Sequence, residues 1–476
     1  MDNSALRRTM YGMLLVITVG MTGARIANVE NVAEPSIWRD HPRRTWPATA
    51  PEPSPTFSSN DRARWATVRA LVDRGTFAIG ERIDDPSTAT GYRDVGILWE
   101  SSYRTIDVVL HPQTKKFYGS KPPLFTCMVA GEYWLLKKLF GWDIEVQRWP
   151  VVCTILVTFN IVPLVVFLLL LARFLEEYGR TDWGRLFVFA SACFGTFMTA
   201  FAVALNNHTP AACCIMFAVM PLLRGLRSGF TSGQMFAVGL FSGLAIAFDL
   251  PCASFAGLAF LLVAWQYPRG LLVYIPMLAL APALLLAANY ISLGDWIPAY
   301  ARFGTEWYEY PGSHWLRVRT DTNPSGIDAA NEPKGIYLFH NTLGHHGLFS
   351  LTPIWILSLI GAIRGLRSTE KGVGLPIRVL SAFTLILMSV ILAYYTWKTN
   401  NYGGWTSGPR WFFWMTPLML LSMVGICDRV SQSAWMRWAA YLALGISAFS
   451  VAWPVFSPWR HPWILQLLIR QGWLIY

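Results

Sequence analysis

Residues 150–173 read PVVCTILVTFNIVPLVVFLLLLAR, with no formal charge until Arg173 closes the run. A helix of roughly 20 apolar residues spans the ~30 Å hydrocarbon core and satisfies its backbone polar groups internally. Working outward, similar apolar runs occupy 10–27, 186–205, 210–223, 234–248, 251–266, 271–289, 347–363, 379–397, 411–426 and 438–455. The pattern predicts an all-α polytopic membrane protein, a bundle of about 11 transmembrane helices. The runs at 210–223 and 234–248 are short for straight spans, which leaves a re-entrant pair open.

Composition points the same way. Over 476 residues, 54% are hydrophobic and only 14% charged, so the chain belongs in lipid rather than in water. The net charge of +11 comes from short Lys/Arg clusters between apolar runs, which argues for topology and against nucleic acid. Six of the seven cysteines lie within apolar runs without metal-ligand spacing and read as small hydrophobes. Trp and Tyr are abundant enough to furnish two interfacial belts alongside the membrane lipids.

Arg7 and Arg8 precede the first run, which has no small-residue cleavage site after it and reads as a retained span. Alternating the runs from a cytoplasmic N-terminus puts Arg173, Arg180, Arg185, Arg224, Arg227, Arg269, Arg364, Arg367, Lys371, Arg378, Arg429 and Arg437 on one side. The opposite short connections carry little beyond Lys398 and Arg410, the bias that orients spans during insertion. The expected divisions are a first transmembrane helix (1–27), a large extracytoplasmic loop (28–149), helices 2–7 (150–289), a second long loop (290–346), and helices 8–11 with a tail (347–476). The two long loops form an extracytoplasmic cap, and the setting expected is a bacterial inner membrane.

Two pieces of the first loop read as helical. After the Pro-rich segment at 47–55, Ser58 and Ser59 precede a helix carrying Asp61, Trp65, Val68 and Val72, with Gly75 as its stop. Beyond Pro123, an apolar stretch containing Glu132, Lys137 and Lys138 reads as a surface-lying helix. Asp61 in a first turn complements the helix dipole whatever else it does. Lys121, fixed beside Pro122 and Pro123, either snorkels at the interface or meets a phosphate as a point charge.

Taken together, these pieces resemble a known family. An acid in the first external loop, an Arg-aromatic helix (Asp61, Arg64, Trp65, Ala66), then Lys121-Pro122-Pro123 and a Tyr/Trp-bearing helix ending in Phe140-Gly141 is similar to the GT-C membrane glycosyltransferases. The nearest arrangement is that of the aminoarabinose transferase and protein mannosyltransferase branch. The resemblance covers residues 58–142 and implies a GT-C-like fold and transfer of a sugar from a polyprenyl-phosphate donor to a glycan, lipid or protein acceptor. It implies Asp61 as base or acceptor-orienting carboxylate and Lys121 as a contact to the lipid phosphate. Where the family usually has a second acid, this chain has Arg62.

Further candidates lie on the same side. Arg410 ends a Gly-rich connection (400–410) in which Asn401 and Tyr402 can touch substrate, and a guanidinium there can grip a phosphate bidentately. Gly-Pro-Arg in a late external loop also looks like this superfamily. Arg64, Asp84, Asp85, His208 and Asp249 complete the substrate-binding candidates. His208 doubles as a turn residue, and Asp249 as a cap for the helix after it. The aromatics Trp307, Tyr308 and Tyr310 of the second loop are expected to stack on sugar. Adjacent His345 and His346 point apart and chelate poorly, so no metal ligand is assigned, although a divalent cation is left open as a cofactor. The competing functions are a transporter or flippase for a lipid-linked or amphipathic substrate and a non-catalytic membrane subunit of a glycan-assembly complex. Nearly charge-free spans without an internal repeat weigh against transport.

Overall fold

The chain alternates long apolar helices with two polar excursions. The structure, a computed structural model, describes residues 3–29, 59–100, 103–321, 326–369, 372–399, 401–455 and 457–476. The Pro-rich segment, Ser58, Lys371 and Asn400 lie outside the described residues. Helix α1 (Ser4–Ala27) leads to the first excursion, which holds α2 (Ser59–Arg74), strands β1 (Gly80–Asp84), β2 (Tyr92–Val95), β3 (Val108–Leu110) and β4 (Lys116–Gly119), and α3 (Pro123–Phe140). Then follow α4 (Arg148–Tyr178), α5 (Asp182–Phe201), α6 (His208–Ser228), α7 (Ser232–Phe248), α8 (Ala253–Gln266) and α9 (Leu271–Leu293). After the second excursion, which carries the short α10 (Lys334–Thr342), come α11 (Ile354–Gly365), α12 (Gly374–Lys398), α13 (Arg410–Ser422), α14 (Val424–Val430), α15 (Ala434–Ala452) and α16 (Trp463–Arg470).

Every apolar run falls in a helix, and the chain is an integral multi-pass membrane protein. On length and composition, though, six helices among the described residues suffice to cross a bilayer, or up to seven if α13 and α14, bent by 51°, form one span. The expected count of about eleven is therefore not confirmed by length and composition among the described residues. Helices α7, α8 and α11 are apolar but short. Their packing compensates: a Cβ on Gly239 would stand 2.5 Å from Tyr274 O, and one on Gly243 2.4 Å from Leu278 O, so α7 lies backbone to backbone against α9.

The all-α expectation needs a second correction. The first excursion contains an antiparallel sheet of order β2-β1-β4-β3. Arg82 and Asp94 face each other in its register and form a bidentate ion pair at 2.7 and 2.8 Å, a cross-strand contact that offsets the low strand propensity of so charged a segment.

Charged contacts gather several helix ends at one side of the bundle. Arg7 meets Glu176 at 2.7 Å and Asp182 at 2.6 Å, joining the starts of α1 and α5 to the end of α4. Arg227 of α6 reaches Glu177 at 3.4 Å, and Asp428 of α14 accepts from Thr181 N at 2.8 Å. At the opposite side, Trp149 Nε1 donates to Ala27 O at 2.9 Å. That opposite side carries both excursions.

Candidate active site

Asp61 sits in the first turn of α2, fully buried. A carboxylate so removed from water needs compensating donors, and Trp459 Nε1, from the segment between α15 and α16, donates to its Oδ2 at 2.8 Å. Three residues on, and so on the same helix face, Arg64 is 2% exposed. Its Nη2 donates to Asn207 Oδ1 at 2.8 Å, and Asn207 Nδ2 in turn donates to Phe248 O at 2.9 Å. Beside them His208 Nδ1 lies 2.7 Å from Asp249 Oδ2. One chain of contacts thus ties α2 to the start of α6 and the end of α7.

Lys121 approaches from the turn between β4 and α3, with Nζ 2.7 Å from Asp107 Oδ1. Arg410 comes from the start of α13, its guanidinium carbon 5.2 Å from the centroid of the Trp459 ring, so one indole serves both Asp61 and Arg410. The charges act on one another. Burial brings Arg64 down to about 10, against the pull of Asp61 and Asp107, with Arg410 adding to the fall. Burial also lowers Lys121, Asp107 opposes this, and Arg410 and Arg64 deepen it. Arg410 lies in the field of Asp107, Asp249 and Asp328. Among the described residues, Arg64 Nε and Arg410 Nε are buried without a hydrogen-bond partner. An arrangement of this kind can receive an anion and can hold a carboxylate in its charged form.

Arg64 and Lys121 line a common cavity between α2, β4, α3 and α9, which Gly119, Asn289 and Ser292 complete. Gly119 is what lets β4 pass close to α2, since a Cβ there would lie 3.1 Å from Thr67 Oγ1.

Similar solved structures include ArnT from Cupriavidus metallidurans bound to undecaprenyl phosphate, at 13% identity over 96% of this chain and 66% of that one, TM-score 0.47. ArnT in the apo state aligns at 14% identity over 86% and 63%, TM-score 0.43. The Archaeoglobus fulgidus oligosaccharyltransferase in complex with Zn and sulfate aligns at 12% identity over 94% and 53%, TM-score 0.47. The chain spans between 53% and 66% of the length of these three structures. No family model and no curated protein sequence matches it.

Other candidates stand elsewhere. Asp84 is exposed at the end of β1 opposite Tyr92, and Asp85 turns the hairpin by accepting from Ser87 N at 3.1 Å, so both have hairpin partners rather than contacts to Asp61. Asn401 Oδ1 accepts from Gly403 N at 2.9 Å, shaping a turn in which a Cβ on Gly403 would come within 3.0 Å of Arg410 Nε. Tyr402 points away, stacked on His346 with ring centroids 5.0 Å apart. Trp307 and Tyr308 are 6% and 4% exposed, packed with Val109, Tyr118 and Leu293, and Tyr310 lies edge-on to Phe117. The expected sugar-stacking aromatics are therefore largely spent in joining the second loop to the sheet.

Asp61, Asp107 and Asp249 are engaged by Trp459, Lys121 and His208 respectively, and among the described residues no group of three or more His, Cys, Asp or Glu could hold a metal ion. The residues that sequence reading missed are Asp107, Asn289 and Trp459. Asp107 stands in an unremarkable pre-strand segment, and Trp459 lies 398 positions from its partner. Asn289 did carry a signal, a lone amide in an otherwise apolar run.

Proposed function

We propose that the chain is an integral membrane glycosyltransferase that moves a sugar from a polyprenyl-phosphate-linked donor to an acceptor at the extracytoplasmic face. What supports this reading is that Asp61 lies in the field of Arg64 and shares the Trp459 indole with Arg410, while Lys121 lies in the field of Arg64 and Arg410, in a chain of apolar helices. The acceptor hydroxyl attacks the anomeric carbon as the bond from that carbon to the phosphate oxygen breaks. Asp61 takes the hydroxyl proton, and the bonding electrons leave with the phosphate, whose charge the three cations stabilise. Proton transfer to a positioned base and electrostatic stabilisation of the leaving group each contribute roughly 100-fold or more in rate. The apolar helices below suit a polyprenyl chain, and the two excursions cover the headgroup and exclude water.

In this reading the N-terminus is cytoplasmic, the shorter helices also serve as crossings to make about eleven, and the two long loops act as a cap. The test is to incubate the purified chain with a panel of radiolabelled polyprenyl-phosphate sugars and extract the products. One donor should be consumed by wild type, whereas Asp61→Asn and Lys121→Ala should abolish transfer with yield and membrane insertion unchanged. Wild-type rates in both variants would refute the roles given to them. A donor that crosses the bilayer unconsumed would instead identify a transporter.

A further inference from the structure

Helix α9 is apolar along almost its whole length, and Asn289 is the exception near its end. It is 2% exposed, and its Nδ2 has no hydrogen-bond partner among the described residues. A primary amide buried in a membrane helix without a partner is destabilising, and such groups persist where something else needs the donor. The position of Asn289 says what that is. It lines the cavity that Arg64 and Lys121 line, contributed by α9 while they come from the first excursion. Two neighbouring hydroxyls are occupied: Ser292 Oγ donates to Asn289 O at 3.0 Å, and Thr67 Oγ1 to Ala63 O at 2.8 Å. On the wall that α9 contributes, the amide is thus a donor still available.

One turn toward the membrane interior on the same face of α9 lies Leu285, which packs with Ala247, Ala281 and Leu124. The cavity has cations on one wall and an amide donor on another, with Phe77, Leu293 and Ala299 as its apolar lining, and Leu285 lies beyond it along α9. From this we propose that Asn289 is a specificity-determining ligand for the phosphate of a membrane lipid: its amide donates to a phosphate oxygen held by Lys121 and Arg64, while the lipid tail descends past Leu285. The inference rests on the glycosyltransferase reading, in which that phosphate is the lipid phosphate left behind after transfer.

The experiment uses the full chain in lipid nanodiscs titrated with undecaprenyl phosphate and, separately, with inorganic phosphate. Asn289→Leu removes the donor at similar volume, and Asn289→Asp places an anion where the donor stood. Loss of a hydrogen bond to a charged group predicts a Kd for undecaprenyl phosphate weakened by roughly 10- to 100-fold in Asn289→Leu, and further in Asn289→Asp. Ligand-free Asn289→Leu should melt no lower than wild type, because the donor it lacks was unpaired. Should Lys121→Ala weaken binding while both Asn289 variants keep the wild-type Kd, the assignment of Asn289 is overturned and the glycosyltransferase reading stands. If none of the three variants changes the Kd, the phosphate site itself is misplaced and both fall. Inorganic phosphate binding as tightly as the lipid would overturn the lipid as the source of the phosphate.

Discussion

Asp61 and Arg410 are both served by a single indole, and this sharing gives Trp459 a double task. Its Nε1 holds the Asp61 carboxylate at 2.8 Å, and its ring carries the Arg410 guanidinium. Phenylalanine at 459 keeps an aromatic face for Arg410 but removes the donor to the carboxylate. Hydrogen bonds to charged groups contribute about 1.5–3 kcal/mol, so Trp459→Phe should lower the transfer rate roughly 10- to 100-fold, with little change in KM for the donor. Steady-state kinetics on the radiolabelled donor decides it, and an unchanged kcat would remove Trp459 from the site. The residue scale also shows where the sequence is readable. Asp61, Arg64 and Lys121 stand in short local patterns with their helix start, their face and their prolines beside them. Trp459 and Asp107 acquire their partners only through folding, and nothing in their own neighbourhoods singles them out.

At the scale of elements, the legible features were those that a continuous run of one chemistry can specify. Apolar runs located the bundle helices, and Gly75 and Gly141, with φ of +62° and +69°, do end α2 and α3 as their places in the sequence suggest. The sheet escaped because its strands are three to five residues long and rich in charge, and their pairing depends on contacts such as Arg82 with Asp94. The π-helical turn at Val157–Ile161 in α4 escaped for the same reason. Its Asn160 donates to Ala202 O at 2.8 Å and Ala204 O at 3.1 Å, satisfying the turn between α5 and α6 that presents Asn207. The close contact of α7 with α9 offers a direct test of element packing. A side chain at Gly243 must displace the backbone of Leu278, and overpacking of this kind costs about 1–3 kcal/mol. Gly243→Ala should lower the melting temperature in detergent, and Gly243→Val should lower it further. Melting curves that superimpose on wild type would show that the two helices are not packed as described.

Across the whole molecule, distant segments converge on a buried histidine cluster that links the second excursion to the Gly-rich turn and the C-terminal segment. His345 Nδ1 is 2.5 Å from His346 Nδ1, and His345 Nε2 is 2.8 Å from Tyr476 OH. His340 stacks on His345 at 3.9 Å, and Tyr402 stacks on His346. Burial, with the neighbouring histidines adding to it, holds His345 at about 2 and His346 well below its usual range. In the unfolded chain both return to about 6.5. Below that pH the unfolded state takes up protons that the folded state refuses, so stability fully present above about pH 6.5 is lost progressively as pH falls. Each such histidine contributes up to about 1.4 kcal/mol per pH unit. Glu332, which accepts from Tyr476 OH at 3.0 Å, acts in the opposite sense: burial raises its carboxyl, so the folded state gains its proton first. The histidines outnumber it, and the melting temperature should fall between pH 6.5 and 5. His346→Phe keeps an aromatic ring against Tyr402 and removes one titrating group, so its melting temperature should fall less steeply over that interval. Parallel slopes for the variant and wild type would mean that His346 is not held neutral by the fold. Because Tyr402 adjoins Gly403, whose bare backbone makes room for Arg410, the same acid loosening should reach the cations proposed to hold the phosphate, and on that proposal affinity for undecaprenyl phosphate should decline over the same pH range in wild type and less in His346→Phe.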